Sequence, residues 1–333
     1  MRRIRIAIVN SKSFGEYSSA VEELRRIGDV SRISVRRDAS GGELASRLDG
    51  FHFVIASVTP YYGREFFEGN KSVVMIIRHG VGLDNVDLEA AEEHGVAVAR
   101  VPGRIEREAV AEHAITLMLL ALRKTYQAIE AVRRGGWRAR SRFVGWELGS
   151  RVVGIIGFGN IGSRVAEILV RGFGSKVLAY DPYVPEERIK SVGAIPADLE
   201  ELLASSDVIS LHAKLTKENY HMLDEQAFRR MKDGVIIVNT SRGELISVQA
   251  LAKALAEGKV SAAALDVVEG EPIDESHPLL EFENVIITPH IAAYTREALK
   301  GMDEFAVRAI TAYLEGEPVE GLVVAPTKPR KIL

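Results

Sequence analysis

Cysteine is absent from the 333 residues of this chain, and tryptophan occurs only twice. Without cysteine there are no disulfides, no thiolate metal sites and no cysteine nucleophiles. No apolar run approaches the roughly 18 residues of a membrane span, and the first apolar stretch, Ile4–Val9, is too short for a signal-peptide core. The sequence therefore predicts a cytoplasmic protein with no membrane partner.

Charge is nearly balanced, with a formal net charge of −3 at neutral pH. This balance carries no bias toward nucleic acid, and the basic stretch Arg138–Arg142 is interpreted as a surface loop. The histidines His52, His94, His221 and His277 show no metal-ligand spacing, so no metal site is predicted. A hydrophobic content of 47% and a charged content of 27% are typical of a globular protein with room for two domains.

Strand and helix patterns alternate in both halves of the chain, which predicts parallel sheets covered by helices and an α/β fold class. Residues 1 to about 101 contain five apolar strand-like runs, and six further runs follow Arg151. Between them, Gly103 to about Arg134 reads as one long helix with an apolar face. His113 lies on that face and is predicted to be a hydrogen-bonded histidine of the interior.

A glycine-rich turn follows the first strand of the second half. Gly157, Gly159 and Gly162 stand between an apolar strand and a helix start, and Asp181 ends the next strand about 20 residues later. This is the dinucleotide-binding pattern: the glycines allow a tight turn, close approach of a pyrophosphate, and close packing of helix on strand. The acidic residue favours a ribose 2′-hydroxyl over a 2′-phosphate, so NAD is predicted rather than NADP.

Three short apolar strands later in the chain each lead into a residue of catalytic type. Val235–Asn239 precedes Arg242, the run ending in Asp266 precedes Glu271, and the run ending in Pro289 precedes His290. Ligands bind at the carboxyl ends of strands in open α/β sheets, so the three side chains are expected to meet there. A fixed cation, a carboxylate and an imidazole can together hold a small carboxylate and move a proton.

These motifs, in their order along nearly the whole chain, resemble the D-isomer-specific 2-hydroxyacid dehydrogenase family. The further blocks that carry the resemblance are Arg78–Asp87, Val101–Gly103, Ala109–His113, Ser206–His212, Met231–Gly243, Leu265–Pro272 and Thr288–His290. The resemblance implies hydride transfer between NAD and C2 of a small D-2-hydroxy acid or 2-oxoacid. It also implies that Arg242 orients the carboxylate, that His290 is the acid and base, and that Glu271 favours its protonated form.

The resemblance also implies binding residues on both sides of a cleft. Substrate would meet Val81, Gly82 and His79 together with Arg242. The residues expected to bind cofactor are Gly157, Gly159, Asn160, Ile161, Gly162, Asp181, His212, Lys214, Thr240, Ser241, Asp266 and Ala292.

The implied architecture is two Rossmann-like doubly wound domains with a cleft between them. Residues 1–101 and 294–333 would form a discontinuous, flavodoxin-like substrate domain, and residues 102–293 would form the NAD-binding domain. The segment at about 104–146 resembles the part of the family that pairs two subunits, so a homodimer is expected.

Several positions depart from the family pattern. Ser247 stands where an acid is common, and an N-cap role makes the change benign. Lys214 replaces a common proline and either contacts a phosphate or is solvated, and Arg100 replaces a common asparagine and either reaches the cleft or caps a carbonyl. Ala56 stands where members acting on 3-phosphoglycerate commonly carry arginine, which argues against a phosphorylated substrate.

Alternative functions within the resemblance are an NAD-sensing, corepressor-like binding protein and a dehydrogenase of formate or phosphite. Ala293, where corepressor members carry an aromatic residue, favours the enzyme. Glyoxylate, hydroxypyruvate and pyruvate-like acids remain as candidate substrates, and Tyr61, Tyr62 and His79 are expected to line the pocket.

Overall fold

The computed structural model describes residues 3–332; Met1, Arg2 and Leu333, which the predicted domains include, lie outside the described residues. The chain divides into two compact units, one formed by Met1–Glu106 with Tyr294–Leu333 and the other by Arg107–Ala293. We call these unit 1 and unit 2. Both are α/β structures built on a mainly parallel sheet, which confirms the predicted fold class.

Unit 1 is built on a sheet that contains six strands within the described residues. The strands are β1 (Arg5–Val9), β2 (Asp29–Ile33), β3 (Phe53–Ala56), β4 (Met75–Arg78), β5 (Ala97–Arg100) and β13 (Leu322–Val324). Its helices are α1 (Ala20–Ile27), α2 (Gly41–Arg47), α3 (Arg64–Gly69), α4 (Leu88–Glu93) and α12 (Arg296–Glu315).

The sheet of unit 1 has the order β13-β5-β4-β3-β1-β2. The first five strands are parallel and follow the flavodoxin-like order 2-1-3-4-5. The sixth strand, β13, pairs antiparallel with β5 and was not predicted. It is only three residues long, and two of them, Leu322 and Val323, are exposed.

A buried histidine–carboxylate pair lies inside unit 1. His79 Nε2 is 2.8 Å from Asp303 Oδ1, and the two side chains are 5% and 0% exposed. The other carboxylate oxygen of Asp303 accepts from Gly15 N and Ser18 Oγ, at 2.8 and 2.7 Å. Because buried polar groups are costly unless bonded, these contacts tie helix α12 to the N-terminal loop and to the end of β4.

Unit 2 contains seven strands within residues 3–332, in the order β12-β11-β10-β9-β6-β7-β8. The strands are β6 (Val152–Ile156), β7 (Lys176–Tyr180), β8 (Ile195–Pro196), β9 (Val208–Leu211), β10 (Val235–Asn239), β11 (Val260–Leu265) and β12 (Val285–Ile287). Its helices are α5 (Arg107–Leu122), α6 (Thr125–Arg133), α7 (Asn160–Ile168), α8 (Glu186–Ser191), α9 (Leu199–Ser205), α10 (Glu225–Arg230) and α11 (Val248–Ala256).

The sheet of unit 2 is buried on both faces, as its continuous apolar strands predicted. Alternate residues of one strand enter opposite cores: Ile155 packs in the cluster with α5 and α7, and Ile156 packs in the cluster with α10 and α11. All strand pairs described in this sheet are parallel. The carboxyl ends of the strands therefore share one edge of the sheet.

The prediction of one long helix from Gly103 to Arg134 is wrong in one respect, because this segment forms two helices, α5 and α6. Lys124, between them, has a left-handed backbone with φ 50°. Helix α5 is buried along most of its length, whereas α6 has no buried residue among those described. The apolar residues of α6 extended the helical pattern past a break that local sequence did not signal.

Ser247 caps helix α11 as predicted, with its hydroxyl accepting from Ala250 N at 3.3 Å. The short strand β8 was not predicted, and only two residues form it. Within the part of the chain that the structure describes, no helix combines the length and the apolar character that a membrane crossing requires.

Candidate active site

The three residues of the predicted catalytic set follow three neighbouring strands. Arg242 comes after β10, Glu271 after β11 and His290 after β12, and these strands are adjacent and parallel. Gly243 lies so close to the segment after β11 that a Cβ on it would be 2.1 Å from the carbonyl carbon of Val268. The loops that follow β10 and β11 are therefore in backbone contact.

A buried asparagine shapes the loop that carries Arg242. Asn239 is 0% exposed, and its amide nitrogen donates to Arg242 O at 2.7 Å. Its amide oxygen accepts from the backbone N–H and hydroxyl of Ser241, at 2.9 and 2.8 Å. The Arg242 side chain donates to Ser241 O at 2.6 Å and remains half-buried. The role of Asn239, a polar residue at the end of an apolar strand, was not recognised from sequence.

His290 and Glu271 form a short ion-pair contact. His290 Nδ1 lies 2.6 Å from Glu271 Oε1, and the side chains are 39% and 37% exposed. The carboxylate takes the Nδ1 side of the ring, so Nε2 is the nitrogen left to exchange a proton with another group. The pair has the geometry of a histidine oriented by a carboxylate.

The backbone at His290 has φ 55°, in the left-handed region that residues other than glycine seldom adopt. Such a conformation costs on the order of 1–3 kcal/mol and persists only where the surroundings enforce it. Here His290 N donates to Asp266 O and Thr288 O, at 2.9 and 3.0 Å. The position of His290 is thus held by its neighbours against a local preference.

Asp266 is the residue that enforces this conformation. Its Oδ1 accepts from Thr288 Oγ1 at 2.6 Å and from Ile291 N at 2.9 Å, and its Oδ2 accepts from Ala292 N at 2.8 Å. His113 Nε2 lies 3.4 Å from the same carboxylate and 3.1 Å from Thr288 Oγ1. Residues on both sides of His290 are therefore bonded to one carboxylate that is 1% exposed.

Burial by itself acts to raise the pKa of the Asp266 carboxyl. The hydrogen bonds from His113, Thr288, Ile291 N and Ala292 N outweigh burial and bring this pKa below its ordinary value of 3.8. Asp266 is therefore an anion at neutral pH, and its charge is satisfied within the unit.

The glycine turn has the shape that a bound dinucleotide requires. Gly157 has φ 91°, and a Cβ on it would lie 2.4 Å from Ala213 N. A Cβ on Gly162 would lie 2.0 Å from Gly157 O, so helix and turn pack too closely for a side chain. A Cβ on Gly159 would meet nothing within 4 Å. The turn is closed where backbone packs on backbone and open at the helix N-terminus, where a pyrophosphate binds.

The turn also lies at the topological switch point of the sheet. Strand β6, which leads into it, is flanked by β7 and β9, and the chain continues outward in both directions from there. The helix it opens is α7, whose first N–H groups, including those of Asn160 and Ile161, have no partner within the helix. These donors and the open space at Gly159 suit a diphosphate.

Asp181 occupies the expected place at the end of β7, and it also supports the turn. Its Oδ2 accepts from Phe158 N at 2.7 Å and its Oδ1 accepts from Tyr183 N at 2.9 Å. The half-buried carboxylate thus holds the glycine turn while keeping lone pairs for a ribose hydroxyl.

Two buried polar atoms near this edge have no hydrogen-bond partner among the described residues: His212 Nδ1 and Thr240 Oγ1. Burial lowers the pKa of His212 to about 3, so its ring is neutral at physiological pH. Its Nε2 is 2.9 Å from Ser210 Oγ. Buried polar groups without partners are rare, and their positions after β9 and β10 fit a ligand that supplies the missing partners.

In unit 1, two arginine side chains donate hydrogen bonds to backbone carbonyl groups of the loop that follows β4. Arg78 Nη1 donates to His79 O, and Arg100 Nη1 donates to Val81 O at 3.3 Å. Arg100 therefore caps a carbonyl, which was one of its two predicted roles. Among residues 3–332 no acceptor is described for Val81 N or Gly82 N. Because carbonyl groups of this loop accept hydrogen bonds from arginines, the adjacent N–H groups of Val81 and Gly82 are suited to an anion.

Two residues expected to line the substrate pocket are interior instead. His79 is bonded to Asp303 inside unit 1, so its side chain is not placed as a substrate ligand. Tyr62 is 0% exposed, and burial raises the pKa of its hydroxyl well above the ordinary value. Sequence could not distinguish an aromatic or imidazole side chain in the core from one in a pocket. Tyr61, at 54% exposed, does face outward.

The remaining predicted cofactor residues fall at the same edge of unit 2. Ser241 is half-buried beside Arg242, and Ala292 is 6% exposed with its N–H on Asp266. Lys214 is exposed, and its carbonyl accepts from Asn219 Nδ2 at 2.8 Å, so its side-chain role remains a prediction. No group of three metal-ligating side chains is found in the described part of the chain.

Unit 2 is a doubly wound sheet with a glycine turn at its switch point, which defines it as a nucleotide-binding domain. An arginine, a glutamate and a histidine at neighbouring strand ends form its candidate acid–base centre. Residues 115–292 match the family described as "D-isomer specific 2-hydroxyacid dehydrogenase, NAD binding domain". The chain belongs to this family, as its motifs predicted.

Known relatives carry several activities in their names. The chain is 39% identical over 308 residues to D-3-phosphoglycerate dehydrogenase of Archaeoglobus fulgidus, covering 92% of this chain and 58% of that protein. It is 38% identical over 283 residues to glyoxylate reductase of Korarchaeum cryptofilum, covering 84% and 85%. The chain thus spans little more than half of the phosphoglycerate dehydrogenase but most of the glyoxylate reductase.

A solved structure shows the same fold along the whole chain. D-lactate dehydrogenase from Aquifex aeolicus, complexed with NAD and lactic acid, is similar with a TM-score of 0.83 and 31% identity. The match covers 97% of this chain and 100% of that one.

The Asp266→Asn variant tests the hydrogen-bonding role of Asp266. Because the pKa of Asp266 is lowered in the folded state, its stabilisation is present above the unfolded value of about 3.8 and is lost as pH falls through the folded value. We expect the variant to lose about 2 kcal/mol or more at pH 7, with a smaller difference from the wild type at pH 3. Urea unfolding at the two pH values measures this.

The control is Asp233→Asn, which changes an exposed carboxylate that pairs with Lys259. It should change stability little at either pH. An Asp266→Asn deficit that is as large at pH 3 as at pH 7 would show that the ionised carboxylate is not what stabilises the His290 segment.

Proposed function

We propose that this protein is an NAD-dependent oxidoreductase that interconverts a small 2-oxoacid and the corresponding D-2-hydroxy acid. The observation that carries the proposal is the His290–Glu271 pair, held at the sheet edge next to the Arg242 loop. Glyoxylate reductase and D-lactate dehydrogenase, named among its relatives, act on acids of this type.

The proposed reduction balances as one hydride and one proton added to the 2-oxoacid. NADH held at the glycine turn and Asp181 would be the source of the hydride for C2, and His290 Nε2 delivers the proton to the carbonyl oxygen. Glu271, on Nδ1, stabilises the protonated ring before transfer. Arg242 binds the substrate carboxylate through its planar guanidinium. In the reverse direction, His290 accepts the proton of the hydroxyl.

The substrate we favour carries no phosphate. Ala56 ends β3 with 0% exposure and offers no positive charge, and the loop that follows exposes Val58 and Tyr61 at 50% and 54%. A phosphate group requires cationic or N–H donors, whereas these side chains suit a small or apolar substituent. Glyoxylate, hydroxypyruvate and pyruvate-like acids fit this description.

NAD is the cofactor that we assign in preference to NADP. Asp181 follows β7, and Pro182 and Tyr183, both exposed, come next in place of a basic pair. A carboxylate at this position accepts hydrogen bonds from ribose hydroxyls and repels a 2′-phosphate.

A homodimer is the proposed assembly. Exposed apolar side chains are concentrated in the segment that begins with α6; they are Tyr126, Ile129, Val132, Trp137, Val144 and Trp146. Large apolar side chains that are exposed in such numbers on one segment are typical of a protein interface. The largest exposures are 77% for Trp137 and 73% for Val144.

The reaction is tested by following NADH oxidation at 340 nm with glyoxylate, hydroxypyruvate, pyruvate and 3-phosphohydroxypyruvate. We expect turnover with one or more of the first three, and a fall in kcat of about 1,000-fold in His290→Ala, because proton transfer by a positioned group contributes 10²–10⁴-fold. NADH affinity, measured by fluorescence, should remain close to that of the wild type.

His277→Asn is the matched control, because His277 caps a short helical turn outside this constellation. It should retain wild-type turnover. Full activity of His290→Ala would contradict the acid–base role, and a wild-type protein that turns over only the phosphorylated acid would contradict the substrate class.

Cofactor choice is tested with Asp181→Asn, which keeps an acceptor for Phe158 N while removing the negative charge. We expect the NADH-to-NADPH ratio of kcat/KM to fall at least about 10-fold, equivalent to about 1.4 kcal/mol. Asp181→Ala should in addition weaken both cofactors, because the turn loses its support. An unchanged ratio in Asp181→Asn would place the ribose discrimination elsewhere.

The assembly is tested by sedimentation equilibrium. We expect twice the chain mass of 36.5 kDa for the wild type at micromolar concentration, and a shift toward the single-chain mass in Trp137→Glu combined with Val144→Glu. Leu280→Glu changes an apolar residue that is 49% exposed and lies outside the segment, and this variant should stay dimeric. A wild-type mass of one chain would refute the dimer.

A further inference from the structure

A second histidine–glutamate contact lies close to the first in unit 2. Glu269 Oε1 is 2.6 Å from Tyr220 Oη and 2.8 Å from His221 Nε2. The two rings are stacked with centroids 4.0 Å apart. The His221 and Glu269 side chains are 28% and 24% exposed, more enclosed than most surface ion pairs in this chain. We call Tyr220, His221 and Glu269 the clamp.

The clamp is bonded to the loop that carries Arg242. His221 N donates to Glu244 O at 2.8 Å, and Leu223 N donates to Leu245 O at 3.0 Å. Ser247 N donates back to Leu223 O at 3.2 Å. Three backbone hydrogen bonds thus join residues 221–223 to residues 244–247, which follow Arg242 closely in the chain.

The clamp is also joined to Glu271 through a very short connection. Only Gly270 separates Glu269 from Glu271, and it has φ 80°. Glu271 N donates to Val268 O at 3.2 Å, which closes a tight turn around this glycine. Because Glu269 and Glu271 lie in the same hydrogen-bonded turn, a displacement of Glu269 is passed on to Glu271.

His221 itself is held in an unusual conformation, with φ 52°. Together with His290, it is one of four non-glycine residues with positive φ in the described chain. A strained backbone is retained where surrounding contacts enforce it, and it is concentrated at functional sites. His221 has such contacts on three sides: the Glu269 carboxylate, the stacked Tyr220 ring and Glu244 O.

From these contacts we infer that Tyr220, His221 and Glu269 are positioning residues that hold the Arg242 loop and the Glu271 turn in register. The inference rests on the proposed function, because it assigns these residues an effect on the same reaction. They act through Arg242 and Glu271, and none of them exchanges a proton with substrate. Misplacement of a catalytic group by about 1 Å can cost about 100-fold in rate, so residues that only position such a group can change the rate strongly.

The test compares Glu269→Gln, Glu269→Ala and Tyr220→Phe with the wild type. We expect kcat for the preferred 2-oxoacid to fall at least about 10-fold in Glu269→Ala, with the affinity for NADH within twofold of the wild type, because the clamp does not contact the glycine turn. Glu269→Gln retains an acceptor for Tyr220 and should recover part of that loss. Tyr220→Phe keeps the His221 contact and should show the smallest loss.

Asp233→Asn is the matched control, because its pair with Lys259 lies at the amino ends of β10 and β11, the same strands whose carboxyl ends lead to the clamp. It should leave kcat and KM unchanged. Equal kcat in Glu269→Ala and the wild type would overturn the inference, as would a kcat loss that Glu269→Gln does not recover at all.

Hydrogen exchange separates failure of the clamp from failure of the proposed function. If the wild type turns over no 2-oxoacid, the function fails, and the clamp is judged by amide exchange alone. Faster exchange in 243–247 and 268–271 of Glu269→Ala, with the rest of unit 2 unchanged, supports the mechanical link. Unchanged protection in both segments would overturn it.

Discussion

The carboxylate of Asp266 is the constraint on which the candidate active site depends. It directly follows β11 and accepts three hydrogen bonds from the segment that contains His290. These bonds hold the residues on both sides of His290, whose backbone is in the left-handed region that residues other than glycine seldom adopt. The imidazole that moves a proton in the proposed reaction thus owes its direction to a residue that the sequence had suggested only for cofactor binding.

The other loops at this edge follow the same principle with different chemistry. Asn239 bends the Arg242 loop through an amide, the clamp braces the Glu271 turn through a shared carboxylate oxygen, and Asp181 supports the glycine turn through the backbone N–H of Phe158. In each case a polar side chain at or beyond a strand end forms hydrogen bonds that hold a functional loop, to backbone for Asn239 and Asp181 and to side chains for Glu269. Sheets position chemistry accurately because these loops begin on strands whose register is set by the core.

Much of the fold was predictable because its signals are local. Continuous apolar strands, such as β6 and β10, can only be covered on both faces, and the glycine spacing of 157–162 has one common structural meaning. The break at Lys124 and the strand β13 were missed for a shared reason. Neither carries a strong local signal: no glycine or proline adjoins Lys124, and β13 is only three residues long and forms by pairing with β5, far earlier in the chain.

The sequence by itself determined the class of fold, the family and the identity of Arg242, Glu271 and His290 as the residues to consider, because spacing relative to strands places side chains at one sheet edge. Only the tertiary structure decided which polar residues support them. His79 and Tyr62 turned out to be interior, and Asn239, His113, Thr288 and Glu269 proved to be bonded to the functional loops. A hydrogen-bond partner 22 to 285 residues away leaves no periodic mark in the chain, so its discovery requires the folded arrangement itself.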